Sequence, residues 1–288
     1  MPGRLSVVAT PIGNLEDITL RALRVLNEVD LIAAEDTRWT AKLLRHHRIT
    51  TRTTSFHEHN EAAKAPRLVE ALLAGRHLAL VSDAGSPGVS DPGARLVRAV
   101  LEAGGAVEPV PGPSAVIAAL SVSGLSGGAF RFLGFPPVKG QARRDWLEQV
   151  RGAVEPVVGF EAPHRIRRLL DDLVVVLEPS RRVVVCREMT KLHEELVEGP
   201  ISSVCRAPMT ARGELTLVID ARAGSPQPDL AGDRQGAFRE VCGALTDSGW
   251  PRRAVVVALA RLSGLPTRAT YDLVEQLVRE RREEEEEG

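Results

Sequence analysis

The sequence predicts an α/β protein: two α/β domains in succession, then a small C-terminal helical segment. Three observations carry this. Short apolar runs alternate with stretches of helical period between Leu5 and Ile219, the pattern of strands joined by crossover helices. Several runs end in loops of Gly, Pro and Ser, the punctuation of a strand turning into a helix. From Asp229 onward the apolar residues keep helical spacing only.

In the first half, strands are expected at Leu5–Ala9, Leu31–Ala34, Thr50–Ser55, Leu78–Val81 and Val107–Val110. Helices fit Leu20–Val29, Thr40–His46, Asn60–Leu73, Gly93–Ala103 and a segment from Ser114 to Leu120. Such alternation implies a mostly parallel sheet, because parallel strands need long crossovers. Gly75 and Gly104 stand where helix ends favour glycine. The glycine-rich stretch Ser123–Ala129 reads as a linker, which bounds a first domain at 1–124.

The second domain, 130–224, carries strand patterns at Phe130–Gly134, Pro156–Phe160, Arg182–Cys186 and Glu214–Ile219. Helices fit around Trp146 and over His164–Leu177. Ala223–Pro228 is another break, and the helical tail, 229–288, is marked by Phe238, Val241 and Leu245, then Val255–Leu262 and Tyr271–Val278. Pro251 and Pro266 suit first-turn positions.

Composition narrows the function. The 288 residues carry a net charge of -1, so the chain as a whole offers no pull on nucleic acid and any such surface must be a local patch. The acidic run Glu283–Glu287 offsets arginine elsewhere. Aromatic content of 3% requires aliphatic cores. Cys186, Cys205 and Cys242 are odd in number with no CxxC pair, which speaks against zinc and a disulfide framework. No apolar run approaches the ~20 residues of a membrane helix, and the start lacks a signal peptide's pattern. A cytoplasmic, non-membrane protein is expected.

The loops carry the chemistry. The bend at Pro11, Ile12 and Gly13 and the bend Ser82–Gly88 both follow strands. Together they suggest one adenosine-like ligand held by main-chain groups at the carboxyl ends of a parallel sheet. Asp83 is placed to accept from a ribose or an amine, and Gly13, Gly85 and Gly88 permit positive φ or a close ligand approach to the backbone. Pro111–Ala115 is a third bend, where Ser114 is expected to cap a helix. Neither GxGxxG nor GxxxxGK[ST] is present, so dinucleotides and nucleoside triphosphates lose ground.

Asp36 either caps a helix or faces substrate, and Arg38 either meets phosphate or is solvated. His57 and His59 could share a strand face, but no third ligand accompanies them, so no metal is expected. A polar substrate rim, with Asn60 as a helix cap, is the alternative. Lys139, Arg143 and Arg144 form a basic helix entry suited to phosphate. Arg165, Arg187, Glu188 and Lys191 follow strands of the second domain.

Taken together, the segments Val8–Thr19, Leu31–Thr40, Ser55–Glu61, Val81–Gly93, Pro109–Ala115, Glu161–Arg165, Arg187–Glu195 and Arg212–Glu214 resemble the tetrapyrrole-methylase superfamily. Within it they most resemble the small-subunit ribosomal RNA methyltransferases that act on a cytidine ribose. The resemblance runs from about residue 4 to residue 220. It implies two αβα domains of that type, with S-adenosylmethionine in the cleft between them. By position it implies cofactor contacts at Pro11, Ile12, Asp83, Ala84, Gly85, Ser114 and Ala115, and at Phe160, Ala162, Met189, Gly213 and Glu214 from the second domain. It further implies 2′-O-methylation of a cytidine in the decoding region of small-subunit (16S) ribosomal RNA, and a homodimer.

Because the sulfonium is already an activated electrophile, alignment should dominate catalysis, with about 7–11 kcal/mol available from proximity. A base or a cation at the hydroxyl should add less. The candidates are Asp36, His57, Glu188 and Lys191, and the RNA-contact candidates are Arg38, His59, Asn60, Lys139, Arg143, Arg144 and Arg165. Two rivals remain at this point: a methylase of a tetrapyrrole such as a corrinoid precursor, and a non-catalytic RNA-binding factor of the same fold. The tail could grip RNA through Arg252, Arg253, Arg261 and Arg268 or only pack on the body.

Overall fold

The computed structural model describes residues 3–125, 128–210 and 212–222, and in the tail residues 241–242, 248, 250–263, 270–271 and 274–275. The chain forms two compact units, residues 1–223 and 224–288.

The first unit contains two sheets. In the first, β1 (Arg4–Val8), β2 (Leu31–Ala34), β3 (Thr53–Ser55), β4 (Leu78–Val81) and β5 (Ala106–Val110) lie in the order β3-β2-β4-β1-β5, every pair parallel. Side chains alternate across this sheet. Val8, Ile32, Ala34, Ala79 and Val81 pack under α1 (Leu20–Glu28) and α2 (Thr37–His46). Leu5, Ala33, Leu78 and Leu80 face the other way, under α3 (Glu61–Leu73) and α4 (Ala94–Glu102).

Capping sets the helix starts. Thr19 Oγ1 accepts from the Ala22 amide, and Asp36 Oδ1 accepts from the Arg38 amide. Asp36 therefore starts α2 three residues before the apolar pattern alone would. Two expected caps differ. Ser114 stands at the N-cap of α5 (Ala115–Ser123) without a capping hydrogen bond. Asn60 stands at the N-cap of α3, but its Oδ1 accepts from the His57 amide behind it.

The second sheet is mixed. Its strands are β6 (Arg131–Gly134), β7 (Val157–Glu161), β8 (Arg182–Arg187), β9 (Glu195–Pro200) and β10 (Leu215–Ile219), in the order β6-β7-β10-β8-β9. Only β6 and β7 are parallel, and the fully buried β10 runs antiparallel between β7 and β8. The edge strand β9 escaped the sequence reading because it is no apolar run. Its glutamates face arginines across the ladder instead, Glu198 with Arg182 and Glu195 with Arg187. The helices α6 (Gly140–Gly152), α7 (Ile166–Val176) and the short α8 (Ile201–Val204) cover this sheet.

Helix α5 follows β5 but packs on the second sheet. Its Val116, Ala119 and Leu120 are buried against Val158, Val184, Cys186 and Val218.

In the second unit α9 spans Arg252–Ser263, and Val255, Val256 and Leu259 are buried. The Pro251 carbonyl accepts from Ala254 and Val255, so Pro251 precedes the first turn rather than lying in it. Arg252 pairs with Glu275 at 3.0 Å. Phe238, Leu245, Pro266, Arg268, Val278 and the glutamate run lie outside the described residues. Among the described residues no helix is long and apolar enough to cross a membrane.

Leu173, fully buried in the second-sheet core, should lose about 2–5 kcal/mol on Leu173→Ala, read as a lower urea midpoint. The neighbouring Val175, 81% exposed, should change by under about 0.5 kcal/mol on the same truncation.

Candidate active site

The bends after β1 and β4 are neighbours because the strands themselves are. A two-bond bridge joins them: Thr10 N donates to Gly85 O at 2.8 Å and Gly85 N to Thr10 O at 3.0 Å. Gly85 has φ +75°, the left-handed region that favours glycine. The third bend approaches through Ser86 Oγ, which donates to Pro113 O at 3.4 Å.

The second sheet closes the site with the loop after β8. Gly13 lies so close to this loop that a Cβ there would sit 2.5 Å from Lys191 Cγ and 2.9 Å from the Met189 carbonyl oxygen. The Asn14 amide donates to Thr190 Oγ1 at 3.0 Å. Gly13 is thus required by protein packed against it, a demand distinct from the close ligand approach expected of it.

Two cavities meet along these loops. The first, about 330 Å³, is lined by Ile12, Asp83, Ala84, Gly85, Ser114, Ala115, Phe160, Ala162, Met189, Gly213 and Glu214, together with Glu35, Asp91, Phe135 and Glu161 among others. Every cofactor candidate except Pro11 therefore faces one space. Pro11 lines the second cavity, about 490 Å³, with Gly13, Leu15, Trp39, Lys42, Leu43 and Lys191. Ile12, Asp83, Ala84 and Glu214 belong to both linings and form the wall between them.

The first cavity is short of positive charge. Burial first, and then the charge of Glu35, pushes the Asp91 carboxyl up to about 6. Glu35 and Asp83 are also raised, again by burial first, and each accepts a backbone amide: Asp83 N donates to Glu35 Oε2 and Asp36 N to Asp83 Oδ1. Three carboxyls that resist ionisation together favour a cationic guest. A cleft of this volume, lined by both the neighbouring rings of Phe160 and Phe135 and by several acids, fits a cofactor that joins a heteroaromatic base to a sulfonium and an ammonium.

The catalytic candidates separate. Hydrogen bonds from Arg38 hold Asp36 down at about 2, with Nη2 at 2.6 Å, so Asp36 stays an anion and is a poor proton acceptor. Glu188 is likewise lowered, chiefly by Lys191, and also accepts the Glu214 amide. The carboxyl of Glu188 lies where a Cβ on Gly213 would be, 2.4 Å away, so that glycine admits it. Lys191 Nζ, held between Glu188 Oε1 at 2.8 Å and Glu214 Oε2 at 3.1 Å, lines the second cavity with its pKa raised on balance by these acids against burial. His57 lines neither cavity and packs edge-on to His59 beside Asn60.

Two RNA-contact candidates are consumed inside the protein. Arg143, 6% exposed, binds Asp172 at 2.6 Å and the Pro137 carbonyl. Arg165 binds Glu161 at 2.7 Å and the Pro136 carbonyl. The basic cluster at Lys139–Arg144 is therefore an α6 start in which Lys139 and Arg144 are exposed and Arg143 is a core anchor. Arg38 is exposed, as is His59.

Sequence reasoning missed Glu35, Asp91, Phe135, Trp39 and Lys42 as lining residues. Asp91 had a signal, since Ser90-Asp91 repeats the Ser82-Asp83 step within one loop. Trp39 had one too, an aromatic next to arginine at a helix start in a chain poor in aromatics.

Comparison with known proteins agrees with this architecture. The family model for Tetrapyrrole (Corrin/Porphyrin) Methylases matches residues 4–205. A Halalkalibacterium halodurans protein called ribosomal RNA small subunit methyltransferase I is 39% identical over 276 residues, covering 95% of each chain. Its Xylella fastidiosa namesake is 42% identical, over 94% of this chain and 98% of that one. Uroporphyrin-III C-methyl transferase from Thermus thermophilus, solved complexed with S-adenyl homocysteine, shares the fold at TM-score 0.56 and 20% identity, over 76% of this chain and 97% of its own. The chain belongs to the tetrapyrrole methylase family, on the branch of the ribosomal RNA small subunit methyltransferases I.

Two outcomes are expected. Gly13→Ala should push the β1 and β8 loops apart, lowering both the melting temperature and the calorimetric affinity for S-adenosylmethionine. Affinity should also fall as pH drops from about 8 to about 5, because Asp91 takes up a proton through about 6 and ceases to attract a cation. Asp91→Asn should flatten that part of the dependence and bind weakly at the upper end. An unchanged slope in the variant would assign the pH effect to other groups.

Proposed function

We propose that this protein methylates the 2′-hydroxyl of a cytidine ribose in the decoding region of 16S ribosomal RNA. As a member of its family it is a methyltransferase that uses S-adenosylmethionine and acts on small-subunit ribosomal RNA. The ribose oxygen as acceptor is our reading. The observation that carries it is Lys191, a cation in the second cavity fixed between two carboxylates, one of which, Glu214, belongs to the wall shared with the donor cleft. A hydroxyl is a poor nucleophile at neutral pH, and a fixed positive charge at the acceptor side favours the developing oxyanion.

When bound, the cofactor would supply an activated methyl on cationic sulfur; the ribose hydroxyl would give its proton to solvent, and Lys191, kept protonated by Glu188 and Glu214, would stabilise the oxygen that accepts the methyl. The protein's part is to hold and align. Ile12, Asp83, Ala84, Gly85, Ser114 and Ala115 would seat the donor from one side, and Phe160, Ala162, Met189, Gly213 and Glu214 from the other. Glu188 acts as a positioning residue through Lys191. Arg38, Lys139 and Arg144 are exposed cations suited to flanking phosphates.

We also read the protein as a cytoplasmic homodimer. Helix α5 is apolar nearly all round yet leaves Ile117 and Val122 exposed, which suits a second copy. The free thiols of Cys186 and Cys205 suit a reducing compartment.

The test is tritium transfer from methyl-labelled cofactor to small subunits that lack the modification, followed by nucleoside analysis. Label on a cytidine 2′-oxygen is expected, and label on a base would overturn the assignment. Lys191→Met should lower kcat by roughly 10²–10³-fold with little change in cofactor affinity.

A further inference from the structure

We propose that the second cavity is the seat of the target nucleotide, with the base stacked on Trp39 and the ribose turned toward the wall formed by Ile12, Asp83, Ala84 and Glu214. This rests on the RNA reading above and adds the place and the platform. Four observations carry it.

The cavity shares that wall with the donor cleft, so a group seated in it lies next to the donor. At about 490 Å³ it has room for one nucleotide but not for a duplex, which requires an unpaired or extruded base. Trp39 lines it while remaining 56% exposed, a large ring the fold does not bury. Lys42 Nζ lies 3.7 Å from the ring centroid, so the platform already carries a cation.

The lip matches a polyanion. Helix α2 contains no acidic residue, and its exposed side chains include Arg38, Lys42, Arg45 and His46 beside Trp39. The donor cleft adds Glu35 and Asp91, which line it alone, to the Asp83 and Glu214 that both cavities share, whereas Lys42 and Lys191 line the second cavity alone. A cationic donor and an anionic acceptor are thereby sorted into adjoining spaces.

The experiment compares Trp39→Ala and Trp39→Phe with the wild type, using unmodified small subunits as substrate and calorimetry for S-adenosylmethionine. Trp39→Ala should raise KM for the subunit roughly 10- to 100-fold, leave cofactor affinity unchanged, and be largely rescued by Trp39→Phe. Lys42→Gln gives an independent readout, since losing one phosphate contact should make the salt dependence of RNA binding shallower by about one unit of slope. A Trp39→Ala enzyme with wild-type KM, or one that loses cofactor affinity in parallel with subunit affinity, would overturn the proposal. Failure of the ribose assignment is separable: wild-type label would then lie on a base, while the Trp39 and Lys42 effects on RNA binding would still be read.

Discussion

The site depends on two sheets being held tip to tip, and α5 does the holding. The helix leaves β5 of the first sheet and buries Val116, Ala119 and Leu120 against β7, β8 and β10 of the second. Each large apolar side chain buried this way contributes about 1.5–3 kcal/mol, which outweighs what any single loop contact offers. Gly13 packed against Met189 and Lys191 adds a second contact between the loops of the two sheets. Ser114 and Ala115 stand at the start of the helix that joins the sheets. They line the cleft for that reason, and the missing capping bond at Ser114 leaves its hydroxyl uncommitted to the helix.

Charge is sorted rather than balanced. A net charge of -1 conceals an acid-walled cleft, where burial raises three carboxyls, next to a helix whose exposed face is basic. The two fields suit reactants of opposite sign, and Lys191 stands at the border with its charge fixed by Glu188 and Glu214. Charged side chains that look alike in sequence thus divide into those that line a cavity and those that brace the fold. Arg143 and Arg165 belong to the second kind, each satisfying a carboxylate and a carbonyl.

Much of the first sheet was legible because parallel strands under two layers of helices are apolar on both faces. Leu31–Ala34 and Leu78–Val81 read as strands and are strands. The edge strand β9 was illegible because its partners are charges across a ladder, visible only once Arg187 lies opposite Glu195 and Arg182 reaches Glu198 diagonally. Helix α5 was assigned by chain order to the first domain, yet its core partners belong to the second sheet.

By itself the sequence determined where the chain must bend and which bends follow strands. Glycine, proline and capping residues act over a few positions, and their effect survives without knowledge of the rest of the fold. It thereby pointed to part of the first cavity's border, including Asp83, Gly85 and Ser114, and not to Glu35, Asp91 or Phe135. Only the tertiary structure decided which ionisable groups confront one another. Burial and distance set the Asp91 carboxyl near 6, silence Asp36 beside Arg38, and bring Trp39 and Lys191, 152 positions apart along the chain (191 − 39), to one cavity. Electrostatic energy depends on separation in space and on exclusion of water, and neither is written in the order of residues.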